Sequence, residues 1–377
     1  MPHPKKITVL IPDADSWLSF PVLNCLGQIP NVNIVLLSSH AFDPVRFSKY
    51  AHQFFSYPKD ADEACKLRFI ADKAKETAAN LVLPIDIATI RFLSTHKHRF
   101  LNGVGLALVP EVQTIDTVSN KWTFAEWLLQ NQVPAPATLV VRQGDEFVQE
   151  LKQLPLPVLL KPTQQIGNVG VGGRGIEIFH TYEQLLAFCS TQTSIEYIAQ
   201  PYIEGNDIGC SVLCQEGKIL AHTIQVGVMN SKERFAPAAA VNFMDHKEVY
   251  HVVQDLMAKL NWSGVANIDL RYDPRSKQVY VLEINARFWG SLLGSLCAGV
   301  NFPYLACLAG LGYKLPPIKF KNIRYANGYA ALTDLFHRYL QRKSNAARFD
   351  HSILEFMVKD PLPKFVNQFQ RQINKVL

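Results

Sequence analysis

Residues 281–291 read VLEINARFWGS, and the polar residues inside this apolar run decide how the chain is built. Glu283, Asn285 and Arg287 stand two apart, and side chains at i, i+2 and i+4 of a β-strand share one face. A strand here turns a carboxylate, an amide and a guanidinium out together, while Leu282, Ile284 and Ala286 look the other way. The preceding stretch VANIDLRYD, residues 265–273, repeats the texture. Asn267, Asp269 and Arg271 alternate with Ala266, Ile268, Leu270 and Tyr272, and DPRSK joins the two runs into a hairpin over 264–286. A register that pairs odd with odd positions sets Asp269 opposite or diagonal to Glu283. An odd–even register sends them to opposite faces.

Two carboxylates about 4 Å apart repel by roughly 4 kcal/mol at an effective dielectric of about 20, so such a pair calls for a cation. The hard oxygens of Asp269, Glu283 and Asn285 suit Mg2+ bridged to nucleotide phosphates. A surface ladder of ion pairs, with Arg271 and Arg287 as counter-charges, is the alternative that the hairpin alone leaves open. Two other segments favour the first reading. In LLKPTQQIGNVGVGGRGIEIF, residues 159–179, a strand ends in Lys161-Pro162 and a stretch with Gly167, Gly170, Gly172, Gly173 and Gly175 follows. Glycines let backbone N–H groups approach phosphate oxygens. This is not a Walker loop, because no GK[ST] ends it and a strand follows. In EYIAQPYIEGNDIG, residues 196–209, a strand runs out through Gly205-Asn206 as a hinge that exposes main-chain groups and a carboxylate.

Upstream, ITVLIP, NIVLLSS, NLVLPID and VGLALVP are short apolar runs separated by helix-like stretches such as residues 60–79. That alternation predicts a parallel sheet covered on both sides. The first run ends in PDADS rather than GxGxxG, so a dinucleotide-binding reading lacks its phosphate motif. From 157 to 226 strands with tight turns, Glu216-Gly217-Lys218 among them, read as antiparallel. Residues 246–260 read as a helix, and residues 329–377, beyond KLPPIKF, as mainly helical.

A length of 377 residues implies two or three domains, and 48% apolar with 19% charged residues reads as a well-packed soluble protein. Two lysines precede the first apolar run, but it stops at Pro12-Asp13, too short for a signal peptide, and no run is long enough for a membrane span. The seven cysteines carry no CxxC spacing, which places the expectation in a reducing, cytoplasmic setting. From Lys314 onward, 12 Lys and Arg face 4 Asp and Glu, a surplus of eight within a net charge of +6. Without interleaved stacking aromatics, this reads as a solvated helical face rather than a nucleic-acid contact.

A lysine opening a helix, Lys-Pro before a glycine-rich hairpin, a hinge strand, then Asp and Glu-x-Asn-x-Arg on a hairpin resembles the ATP-grasp superfamily over roughly 116–312. EINARFWGSLLGSLCAGVNFPYLACLAGLG looks like the ATP-grasp domains of carbamoyl-phosphate synthase large chains, and GVGGRGIEI like the loop of biotin carboxylases. The resemblance implies an α/β chain in three parts. Residues 1–115 would be a Rossmann-like parallel α/β domain preceding the ATP-grasp module. Residues 116–312 would be a two-lobed α+β ATP-grasp domain, and 313–377 a basic, mainly helical segment. By the same resemblance, Lys121 and Lys161 are the nucleotide-binding lysines, and the 167–175 loop closes over the phosphates. Gln200 to Ile203 read adenine through the backbone, Pro201 by its C=O and Ile203 by its N–H, while Asp207 holds the ribose. Asp269, Glu283 and Asn285 ligate Mg2+, with Mn2+ as an alternative. Arg287 steadies the transferred phosphoryl group.

Carbamoyl-phosphate synthases usually carry proline at the position of Ala286, glutamine at that of Asp269 and two ATP-grasp copies. These departures argue against carbamoyl phosphate as the product. The implied activity is an ATP-dependent carboxylate–amine ligase forming an amide through an acyl phosphate, with small-molecule carboxylate and amine substrates, amino acids among them, and ADP and phosphate as products. A homodimer is compatible with it. The alternatives are an enzyme that activates bicarbonate or phosphorylates a small molecule without joining an amine, and a non-catalytic nucleotide-binding protein.

Overall fold

The computed structural model of the protein describes residues 6–58, 60–100, 103–141, 145–164, 175–191, 195–229, 238–327 and 351–376, with Phe235 and Leu332. Its first sheet contains β1 (Ile7–Ile11), β2 (Val32–Ser38), β3 (Ala51–Ser56), β4 (Leu81–Val82) and β5 (Gly105–Leu106), all parallel, in the order β3-β2-β1-β4-β5. Apolar runs form its centre because both faces are covered. Val9, Ile11, Ile34 and Leu36 enter one core, Leu10, Val35 and Leu37 another. The runs at residues 81 and 105 each keep only two regular strand residues. The edge strand β3, AHQFFS, has no apolar run, and its side chains are half-buried or exposed.

The chain leaves β1 in one direction and returns to β4 on the other side, so a crevice opens at the carboxyl ends of these two strands. Each end carries an aspartate. The Asp13 carboxylate accepts hydrogen bonds from the N–H of Ile85, at 3.1 and 3.0 Å, and from that of Asp86, at 2.8 Å. Burial pushes Asp13 up to about 7, against the pull of those donors. A carboxyl held above its unfolded value of about 4 keeps a proton that the unfolded chain releases, so its contribution to stability is full below about pH 4 and is lost as pH rises to about 7. Asp13→Asn, which cannot titrate, should therefore flatten the fall in stability over this window, by at most about 1.4 kcal/mol per pH unit. Urea unfolding at about pH 4.5 and about pH 7.5 reads this directly. An unchanged slope would show that Asp13 is ionised throughout.

The stretch read as one antiparallel region divides between two sheets. A four-stranded sheet, ordered β6-β9-β7-β8, holds β6 (Leu139–Val140), β7 (Val158–Pro162), β8 (Glu177–Phe179) and β9 (Tyr197–Pro201). A six-stranded sheet, ordered β14-β13-β10-β11-β12-β15, holds β10 (Asn206–Gln215), β11 (Lys218–Met229), β12 (Ala240–Phe243), β13 (Gly264–Asp273), β14 (Gln278–Asn285) and β15 (Ile323–Ala326). The link from β9 to β10 is the Gly205 turn. Helix Lys247–Lys259 covers the large sheet, with Val249, Val253, Leu256 and Met257 in a core that also takes Cys210, Val212, Ala266, Ile268 and Ile284. Helices Leu292–Cys297 and Phe302–Gly310 pack against helix Ser19–Leu26 of the first sheet through one continuous core, which brings that sheet's crevice to the end of β14.

The last segment departs from the expectation of a mainly helical tail in one respect. Ile323–Ala326 pairs antiparallel with β12 and so covers an edge of the large sheet. Among the described residues, the helices Ile353–Lys359 and Leu362–Val376 follow. Buried Asp360 between them ties the segment to the first sheet, accepting from Ser48 Oγ at 2.6 Å and Lys49 N–H at 3.1 Å.

Candidate active site

The β13–β14 hairpin takes the odd–odd register. Asn267 pairs with Asn285, Ile268 with Ile284 and Asp269 with Glu283. Below Asp269 the register slips, and Leu270 lies opposite Val281. The extra residue, Leu282, reverses the alternation, as a β-bulge does. Val279 and Val281 enter the core before it, Ile284 and Ala286 after it. Leu282 is therefore a corrected expectation, since it is half-buried at the bulge rather than aligned with Ile284. The bulge sets Glu283 and Asn285 on the open face while their flanking apolar residues stay inside.

On that face Asp269 receives Asn267 Nδ2–H on Oδ1 at 2.8 Å and Asn285 Nδ2–H on Oδ2 at 3.0 Å. Asn267 is in turn held by the Ser211 hydroxyl, 2.9 Å from its Oδ1. Burial, then the neighbouring Glu283 charge, pushes Asp269 up to about 7. Glu283 Oε2 lies 3.2 Å from Lys121 Nζ. Lys121 opens helix Lys121–Gln130, whose N-cap Asn120 accepts from the N–H groups of Trp122 and Thr123 at 2.8 and 3.2 Å. A cation in the first turn of a helix adds to the positive end of its dipole, so Lys121 is poised for an anion. Its backbone N–H donates to Thr163 C=O at 2.9 Å, which fixes the helix start against the end of β7.

Lys161 ends β7 on the facing sheet. Lost hydration pulls its ammonium down to about 8, although the Glu283 charge opposes this. Lys121, Arg271 and Asp207 act on it as well, and Lys121, bound to Glu283 and by its N–H to the residue after β7, stands between the two sheets. At the hinge, Arg271 binds the Asp207 carboxylate, donates from Nε to Ile203 C=O at 2.8 Å and from Nη2 to the Tyr202 hydroxyl at 2.8 Å. Gln200 is buried and turns its side chain to Thr138 Oγ1, 2.8 Å away. Pro201 closes β9 and Ile203 follows it. Gly167, Gly170, Gly172 and Gly173 of the glycine-rich loop lie outside the described residues.

Among the described residues, no group of three or more His, Cys, Asp and Glu is set to hold a metal. The donor set here is two carboxylates with amide oxygens. That fits a hard cation which completes its shell with phosphate oxygens and water, because Mg2+ is bound through one or two carboxylates plus substrate phosphates. A buried carboxyl pushed up by a like charge is what such a cation would relieve.

A family described as ATP-grasp domain matches residues 118–291. Residues 118–291 are an ATP-grasp domain. The carbamoyl phosphate synthase large chain of Saccharolobus islandicus is 22% identical over 240 residues, 58% of this chain. The match spans only 22% of that relative's length. Among solved structures, N5-carboxyaminoimidazole synthetase from Staphylococcus aureus complexed with ADP superposes with a TM-score of 0.68 at 17% identity, over 91% of this chain and 88% of that one. L-amino acid ligase from Bacillus licheniformis gives a TM-score of 0.57 at 18% identity, over 82% and 75%. At these identities the likeness is one of fold. The first sheet lies outside the matched ATP-grasp segment, yet it reaches the site.

Three residues that reach the site escaped the reading of the sequence. Asp86 Oδ1 lies 3.9 Å from Arg287 Nε, the Trp17 ring lies 5.5 Å from Arg287 Cζ, and Asp13 braces the Asp86 turn. The available signal was an aspartate just beyond each of two apolar runs, in PDADS and LPID, where the sheet reverses direction. Phe288 and Trp289 are buried packing residues, and His222 stacks on Tyr250 within the fold, at 4.6 Å between rings.

Proposed function

We propose that the chain is an ATP-dependent carboxylate–amine ligase that works through an acyl phosphate and releases ADP and phosphate. The observation that carries this is the Asp269–Glu283–Asn285 face with Lys121 3.2 Å from Glu283, and Lys161 within reach of the Glu283 charge. Lys121 and Lys161 would take phosphate charge, and the main chain of 200–203 the adenine. Asp207, freed from or sharing Arg271, would hold the ribose. Asp269, Glu283 and Asn285 would hold Mg2+, or Mn2+ by the same donor chemistry. The bound ion would neutralise β- and γ-phosphate charge. Arg287 would then offer fixed donors to the charge that develops on the phosphoryl group as the substrate carboxylate attacks. Displacement by an amine would form the amide, with the 167–175 loop excluding water from the acyl phosphate.

The likeness in fold to an L-amino acid ligase supports an amine acceptor. A first domain over 1–115, an ATP-grasp domain over 116–312 and a basic segment over 313–377 belong to the same proposal, as does a cytoplasmic setting. No helix among the described residues is long and apolar enough to cross a membrane.

Incubation of the protein with Mg·ATP and pooled carboxylic acids, amino acids and amines tests the reading. ADP and a condensed mass should appear only with a carboxylate–amine pair. ADP without amine dependence would favour bicarbonate activation or small-molecule phosphorylation, and AMP with pyrophosphate would rule out the acyl-phosphate route.

A further inference from the structure

Where the first sheet meets the polar end of β14, it contacts the Arg287 side chain. Its Nη1 donates to Phe288 C=O at 2.9 Å and its Nη2 to Asn285 Oδ1 at 3.5 Å, both from its own chain segment. The remaining partners come from the crevice between β1 and β4. Asp86 Oδ1 stands 3.9 Å from Nε, and the Trp17 ring lies 5.5 Å from Cζ. The tip of the same ring reaches to 3.5 Å of where a side chain would begin at Gly290.

The crevice holds Asp86 in place. Asp86 accepts the Ser16 hydroxyl on Oδ2 at 2.9 Å and the Ile87 N–H on Oδ1 at 2.8 Å, while its own N–H is bound to buried Asp13. Phe288 N–H donates to Ile85 C=O at 3.4 Å, so the turn after β4 and the segment after β14 are joined next to Arg287. A half-exposed ion pair of this length adds little to stability. Trp17 is 63% exposed, a large aromatic that burial does not account for. What both residues do is limit where the guanidinium can point.

We propose that Asp86 and Trp17 are positioning residues that aim Arg287 at the reacting phosphoryl group, which makes the first sheet part of the catalytic apparatus. This rests on the reading of Arg287 as the residue that steadies that group. Preorganised donors stabilise developing charge because they need no reorientation at the moment of reaction. Losing the aim costs rate, whereas nucleotide affinity rests on Lys121, Lys161 and the hinge and is untouched.

The test pairs a spectroscopic readout with a kinetic one. The Arg287 Nε–H signal in a 1H–15N spectrum is assigned as the one lost in Arg287→Lys. In Asp86→Asn and Trp17→Leu it should shift and broaden towards that of a solvated arginine, with the melting temperature unchanged. On the substrate pair found by product screening, Asp86→Asn should lower kcat by roughly 10- to 100-fold with the KM for ATP unchanged. Asp86→Glu should recover part of it. In the Arg287→Lys background, Asp86→Asn should have no further effect. An Arg287 signal unmoved in Asp86→Asn overturns the proposal, as does a kcat within twofold of the wild type or a loss confined to KM. If the wild type makes ADP without an amine, the ligase reading has failed, and the Arg287 signal alone decides whether the clamp exists.

Discussion

Glu283→Ala should lower ATP turnover by roughly 10²-fold or more and leave the protein as stable as before. The rate effect follows from removing a carboxylate whose task is to hold charge against the phosphates, where single preorganised groups carry about 10²–10³ in rate. Stability is spared because Glu283 is half-exposed and contributes one ion pair, to Lys121 at 3.2 Å, a class of contact worth about 0–1 kcal/mol. Against that loss stands the relief of Asp269, which Glu283 helps to push up. The variant should also separate two kinds of nucleotide binding. Metal-free ATP should bind at least as well, since Lys121 no longer has a competing carboxylate, while the gain in affinity on adding Mg2+ should disappear. Turnover assays, thermal melts and calorimetric titrations with and without Mg2+ measure all three. Full turnover in Glu283→Ala would sink the assignment of the face.

Among the described glycines, Gly205→Ala should be the most damaging substitution. Gly205 has φ +147°, which L side chains rarely adopt, and a Cβ there would lie 2.0 Å from Tyr272 C=O and 2.8 Å from its carbonyl carbon. These are backbone atoms of β13, paired with Asn206 at the start of β10, so no rotamer change makes room. Backbone strain and overpacking, each about 1–3 kcal/mol, should together cost about 3 kcal/mol or more. For a unit of this size that corresponds to a fall in melting temperature of roughly 6–12 °C. The same shift would move Ile203 and Asp207 away from Arg271, which binds both, so ATP affinity should fall with stability. A variant with wild-type melting temperature and ATP affinity would show that the hinge has room that its backbone does not display.

The alternation of Asn267, Asp269, Glu283 and Asn285 was legible because a strand's period of two is a property of the backbone alone. Within each strand the odd positions around the carboxylates had to share a face, while the pairing of Asp269 with Glu283 was decided by the register. Lys161 was legible for a related reason, since PVLLKP carries a charge to the end of an apolar strand, where only a cleft accommodates it. The alternating apolar runs of the first hundred residues determined a parallel sheet in the same way.

The Leu282 bulge was not legible. VYVLEIN moves its apolar residues from odd to even positions across Val281-Leu282, and only the pairing of Leu270 with Val281 shows that an extra residue there absorbs the change. Strand β3 has no run of its own and exists because β2 offers an unpaired edge. Arg271 could equally have served as a counter-charge to Glu283. Its place at Asp207, Ile203 and Tyr202 depends on how the hinge folds back over β13. Asp13, Trp17 and Asp86 lie some 200 residues or more from Arg287 in the chain, and local pattern does not reach that far. By itself the sequence determined the elements, the polar face and the chemistry its oxygens suit, because these follow from periodicity and side-chain type. The tertiary structure alone decided which sheet opposes that face, through the Gly205 hinge and the Lys121 helix seated at the end of β7, and which residues aim Arg287, through helices 292–310 packing the first sheet against the end of β14.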